Sequence, residues 1–156
     1  MEAVRNGITI FFFSMTPFAE SRVAIPYGIA MFGMSPIAAI VWGCAGNIAI
    51  VFLIMRFFDP ITSWIFARSE FLKEKIEKYF KKLHTKHSER FYQFGAMLLV
   101  IMVATPIPGT GAWTGAILAS LFAIPFWLGL GSISAGIVIA GVILAFVSKS
   151  AIHFFL

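Results

Sequence analysis

Apolar residues in this chain are gathered into two blocks, about 7–58 and about 91–148, on either side of a polar stretch. Prolines punctuate both blocks in the same order. In the first, an apolar stretch 8–15 ends at Thr16-Pro17, a second stretch covers 23–32, and Pro36 opens a long run 37–58. In the second, a stretch 94–104 ends at Thr105-Pro106-Ile107-Pro108, the next covers 112–122, and Pro125 opens the run 126–147. Thr16 and Thr105, Pro17 and Pro106, and Pro36 and Pro125 are each 89 positions apart. A shared offset of this kind predicts an internal duplication.

A helix needs about 20 apolar residues to cross roughly 30 Å of hydrocarbon. Segments 36–58 and 125–148 meet that length, and each opens with a proline, which suits a first helical turn. The stretches before them reach only about ten to twelve residues apiece. They fit re-entrant half-helices, whose broken tips survive at membrane depth only when buried in protein or lining a wet cavity. Each repeat is then a re-entrant hairpin plus one spanning helix. A single span between the hairpins makes them enter from opposite faces, so the repeat is inverted, as in many transporters. The predicted fold is an all-α integral membrane protein of one domain, 1–156. Repeat 1 covers about 7–58, a linker about 59–91, and repeat 2 about 92–150.

The linker is amphipathic. Leu72, Ile76, Tyr79 and Leu83 recur at helical spacing, and Glu74–Lys78 and Glu77–Lys81 are favourable pairs four residues apart. It predicts a helix lying on anionic headgroups or packing on its own bundle.

Composition strengthens the membrane reading. The chain has 156 residues, 60% of them hydrophobic and only 12% charged, against roughly a quarter charged in soluble domains. This excludes a disordered chain, a coiled coil and a disulfide scaffold, and argues against a water-soluble enzyme. The net charge of +5 is concentrated between Arg56 and Arg90, which places 59–91 on the cytoplasmic side of the cell membrane. Its basic residues alternate with glutamates, so lipid headgroups are the expected partner and nucleic acid is not. The start of the chain lacks a clean cleavage site and is not read as a signal peptide. Cys44 reads as a small hydrophobe. His84 and His87, without a third ligand, predict no metal site, and no cofactor is expected.

Candidate chemistry lies at the two breaks. Glu20 and Arg22 are ionisable residues inside an apolar block, where a charge costs roughly 2.5–3.5 kcal/mol to insert. The planar fork of Arg22 suits phosphate or carboxylate, and a partly desolvated Glu20 suits proton exchange. The other reading of the pair is a structural staple. At the second break, Pro106 and Pro108 stop a helix, while Gly109 and Gly111 permit close backbone approach. The helix start near Thr110–Trp113 would offer free N–H groups to an anion, and Thr105 and Thr110 add hydroxyls. A tight turn serving packing alone is the other reading. Asn47 needs a partner inside the first span, as helix–helix glue or as a cap for a hairpin tip. Gly129, Gly131, Gly136 and Gly141 predict close helix packing, within the chain or between subunits.

Three motifs carry a resemblance: Glu20-x-Arg22-x-Ala24-Ile25-Pro26-x-Gly28, then Gly46-Asn47, then Pro106-Ile107-Pro108-Gly109-Thr110-Gly111-Ala112-Trp113. Together they resemble the "putative small multidrug export protein" family, itself similar to the DedA/VTT-domain superfamily. The resemblance implies two re-entrant hairpins facing each other and a role in moving lipids or small solutes. The expected function is a transporter or flippase for an anionic lipid such as a polyprenyl phosphate. Arg22 would hold the phosphate, Glu20 would exchange a proton, and Gly109–Gly111 would cradle the headgroup. The alternatives are a proton-coupled exporter of lipophilic cations and, in another class, a membrane scaffold. No grouping at membrane depth suggests an enzyme or a catalytic residue. Two spans enclose little volume, which favours a homo-oligomer.

Overall fold

The computed structural model describes residues 1–66, 89–105, 107 and 110–155. All regular structure among them is helical: α1 (Glu2–Ser14), α2 (Glu20–Phe32), α3 (Pro36–Phe66), α4 (Glu89–Ala104), α5 (Ala112–Leu121) and α6 (Phe126–Phe155). The order short–short–long thus occurs twice. At 1.5 Å per residue, α1 and α2 are about 20 Å long and α5 about 15 Å. The apolar segments Pro36–Phe58 of α3 and Phe126–Ser150 of α6 are long enough to cross a bilayer. Only 33% of each is buried in the protein. That distinguishes them from the core helices of a soluble domain, since the large apolar side chains of Val41, Phe52, Trp127, Val138 and Phe146 point outward.

Local chemistry explains the boundaries. Gly33 takes the left-handed conformation (φ 60°) and ends α2, and the Met34 N–H returns to the Gly28 carbonyl at 3.1 Å. The Ser35 hydroxyl accepts from the Ala38 N–H, and Pro36 opens α3. α5 ends alike: Ala123 has φ 52°, the Ile124 N–H bonds the Ala119 carbonyl at 2.9 Å, and Pro125 precedes α6. Two boundaries differ from the sequence expectation. α3 runs past Asp59-Pro60 to Phe66 instead of stopping at 58. Pro60 removes a single backbone donor, and the helix continues around it. Glu20 and Arg22 belong to the first turn of α2, not to the loop at its tip. The linker residues 67–88, with Leu72, Ile76, Tyr79, Leu83, His84 and His87, lie outside the described residues.

The two long helices pack on each other. α2 and α5 each pack on both of them, α1 packs on α2 and α3, and α4 packs on α5 and α6. Ile25 of α2 sits fully buried between the long helices. A Cβ at Gly43 would come within 2.7 Å of it, and one at Gly141 within 3.2 Å. Gly129 and Gly136 likewise face Met55 and Val103 closely. Packing within the chain therefore accounts for three of the four glycines of α6. Gly131 has no neighbour within 4 Å of a Cβ placed there.

Candidate functional site

Each break in a helix leaves carbonyls without partners on one side and N–H groups without partners on the other. Where such groups are shut off from water, side chains must satisfy them. At the first break, residues 15–19, this is done by Asn47 of α3, which is 1% exposed. With its amide turned so that both ends are matched, Asn47 donates to the Ser14 carbonyl (3.1 Å). It accepts from the Ser21 hydroxyl (2.9 Å) and the Ser21 N–H (3.2 Å). One neutral side chain thereby ties the end of α1 to the start of α2. The helices can approach because of Gly46, where a Cβ would overlap the Phe11 carbonyl and the Ser14 hydroxyl.

The second break is satisfied by charge. The Arg22 guanidinium reaches across and donates to a cluster of carbonyls: Thr105 (3.0 Å), Thr110 (3.1 Å), Val103 (3.4 Å) and, through Nη1, Ile107. Nη2 also approaches the Thr110 hydroxyl at 3.4 Å. A cation is thus seated at the C-terminal end of α4, where the helix dipole is negative. The Glu20 carboxylate takes the complementary place at the N-terminus of α5, accepting from the N–H groups of Ala112 and Trp113, each at 3.4 Å. Gly111, the residue before α5, makes no side-chain cap of its own. Its missing Cβ is what admits Glu20, since a Cβ there would overlap the carboxylate. Trp113 returns the contact, donating its indole N–H to the Met15 carbonyl at 3.2 Å.

Glu20 and Arg22 are not primarily partners of each other. Arg22 Nε stands 3.9 Å from Glu20 Oε2, at the outer limit of an ion pair. Their side chains are 10% and 16% exposed respectively. Hydrogen bonds from a charged group contribute roughly 1.5–3 kcal/mol each, so the carbonyl cluster outweighs the loose pair. Glu20 also holds a left-handed backbone angle, φ 45°, which costs a non-glycine residue on the order of 1–2 kcal/mol.

A cleft of about 560 Å³ opens beside these groups. Its polar floor is Glu20 and Arg22, and Phe18, Val23, Trp113, Thr114 and Leu144 are among its walls. Of the residues expected from sequence, Glu20, Arg22, Gly111 and Trp113 line it. Thr105 and Thr110 face Arg22 through their carbonyls, and Asn47 supports the site from behind. Pro106, Pro108 and Gly109 lie outside the described residues. The N–H groups expected to cradle an external anion point instead at Glu20. Ser14, Ser21, Phe18, Thr114 and Leu144 were not singled out by sequence; only Ser21, lying between the two charges, carried a positional signal. Among the described residues no group of acidic, histidine and cysteine side chains could hold a metal ion.

The family model described as "Putative small multi-drug export protein" matches residues 20–143, from Glu20 through the first long apolar segment and into the second. Neither a curated protein nor a solved structure matches the chain. With most of its length covered by that model, and with two apolar helices of membrane-spanning length, the chain belongs to the small multi-drug export protein family.

Proposed function

We propose that the protein is a membrane transporter that exports small lipophilic cations in exchange for protons, with Glu20 as the shared site. The observation that carries this is the unequal satisfaction of the two charges. Arg22 is engaged by carbonyls of Val103, Thr105, Ile107 and Thr110. Glu20 has, among the described residues, two long N–H bonds and one loose ion pair, and it faces a cleft with aromatic and aliphatic walls. A carboxylate with spare lone pairs beside Trp113 and Phe18 suits a cation with apolar substituents. In this reading α1–α2 and α4–α5 are re-entrant hairpins of an inverted repeat, and their tips meet at the site. The matching helix order and the matching helix ends at Gly33 and Ala123 support it. The family's export name agrees with a transport role. The site asks for no catalytic residue.

The test is uptake of tetraphenylphosphonium into vesicles carrying the purified protein under an imposed pH gradient. Glu20→Gln should abolish gradient-driven flux. Full flux in that variant would overturn the assignment.

A second reading keeps one observation on its side. Arg22 lines the same cleft, so an anionic headgroup such as a polyprenyl phosphate could displace the loop carbonyls from it. Flux of a phosphate-bearing lipid that is lost in Arg22→Ala and kept in Glu20→Gln would select this reading.

A further inference from the structure

A hydroxyl in an apolar helix ordinarily donates to a carbonyl about one turn back. In this chain Thr9, Thr62, Thr105, Ser120, Ser132 and Ser148 do so onto the carbonyl four residues back, at 2.7–3.0 Å. Ser14, Thr16 and Thr110 do so three residues back, at 2.8–2.9 Å, and Ser21 pairs with Asn47. Thr114 departs from this. It is half-buried and lines the cleft beside Glu20, and its hydroxyl makes no hydrogen bond among the described residues. Ser134 and Ser150 also have unbonded hydroxyls, but they do not line the cleft. The start of α5 explains Thr114. Gly111 is extended (φ −80°, ψ −171°), so Thr114 is only the third helical residue and has no full turn behind it. The Thr110 carbonyl goes to Arg22 Nη2 at 3.1 Å, and the Gly111 carbonyl takes the Gly115 N–H at 2.9 Å.

The two oxygens of Glu20 are also unequal. Oε2 takes the Ala112 N–H at 3.4 Å and stands 3.9 Å from Arg22 Nε. Oε1 takes the N–H of Trp113, the residue next to Thr114, at 3.4 Å and is not paired with Arg22. We infer that Glu20 Oε1 and the Thr114 hydroxyl together select a protonated amine that carries at least two N–H bonds and an apolar substituent. This rests on the reading of Glu20 as the cation site, and adds Thr114 as a specificity-determining residue there. An ammonium gives one N–H to Oε1 and a second to a lone pair of the Thr114 oxygen. Phe18, Val23, Leu144 and the Trp113 ring receive the substituent. A quaternary cation meets the same charge and the same walls, but it has no hydrogen to give and leaves the hydroxyl unpaired.

Equilibrium binding of benzylammonium and of benzyltrimethylammonium to the full chain in lipid nanodiscs tests this. Thr114→Val keeps the shape of the side chain and removes the hydroxyl. It should weaken benzylammonium roughly three- to tenfold, the scale of one hydrogen bond, and change benzyltrimethylammonium less than about twofold. Thr114→Ser, which restores the hydroxyl, should bind both as the wild type does. A change confined to one cation is not what a general loosening of the cleft would give. Equal weakening of both cations in Thr114→Val, no weakening of either, or a Thr114→Ser variant that behaves like Thr114→Val would overturn the role of Thr114. If Glu20→Gln loses both cations while Thr114→Val keeps both, Thr114 is not a selector and the cation site at Glu20 stands. If neither cation binds the wild type, or Glu20→Gln binds both unchanged, the selector and the cation reading fail together.

Discussion

The carboxylate of Glu20 and the backbone amide of Trp113 are 93 positions apart in sequence and 3.4 Å apart in space. Through that contact an acid at the start of one short helix becomes the cap of another. Two residues on, Arg22 caps the opposite side of the same break. Two charges that would be costly among apolar residues are thereby matched to the helix ends whose partial charges oppose them.

Arg22→Ala should lower stability by roughly 3–5 kcal/mol, the scale for removing one partner of a buried charged network. The carbonyls of Thr105, Ile107 and Thr110 lose their charged donor, and Glu20 loses the positive charge beside it. Arg22→Lys keeps the charge but not the fork, and should fall between the two. Adding Glu20→Gln to Arg22→Ala should recover part of the loss, because no uncompensated charge remains. Thermal unfolding in detergent followed by tryptophan fluorescence measures all four proteins.

Much of this was legible in the sequence. Prolines and the shared offset placed both breaks and both long helices, because a missing N–H and an apolar run act locally. Glu20, Arg22 and Asn47 stood out because polar groups in apolar blocks need partners. Their partners were not legible. Which orphan carbonyl a side chain meets is decided by tertiary packing, so the 83-residue reach from Arg22 to the Thr105 carbonyl left no local trace. For the same reason the N–H groups of α5 looked free when Glu20 already held them. The passage of α3 through Pro60 was missed because one lost hydrogen bond is small against a continuing helix.

Asn47→Ala should cost about 1–3 kcal/mol, the price of leaving the buried Ser14 carbonyl and Ser21 amide unpaired. Asn47→Asp should not rescue it, since a carboxylate cannot donate to the Ser14 carbonyl. The same unfolding assay checks this. A variant as stable as the wild type would remove Asn47 from its bridging role.

Gly46→Ala and Gly131→Ala should part company. At Gly46 the added methyl meets the Phe11 backbone, which cannot turn aside, and overpacking of this kind costs roughly 1–3 kcal/mol. At Gly131 the space is open, and alanine should be neutral or gain up to about 1 kcal/mol from helix propensity. A comparison of the two melting temperatures decides the point.

Trp113→Phe keeps an aromatic wall in the cleft but loses the bond to Met15. It should cost about 1 kcal/mol in stability and leave most of the transport. Trp113→Ala removes the wall as well, and should raise the KM for tetraphenylphosphonium by several-fold or more, on the scale of a desolvated cation–aromatic contact. Equal KM values in the two variants would show that the ring does not touch the solute.

The most direct test of the central claim is a carbon–nitrogen dipolar measurement by solid-state NMR in lipid, between the Glu20 carboxyl carbon and the Trp113 amide nitrogen. The account predicts a weak but detectable through-space coupling, as the 3.4 Å oxygen-to-nitrogen contact requires. Its absence in well-folded wild-type protein without added solute would contradict the claim that Glu20 caps the second break.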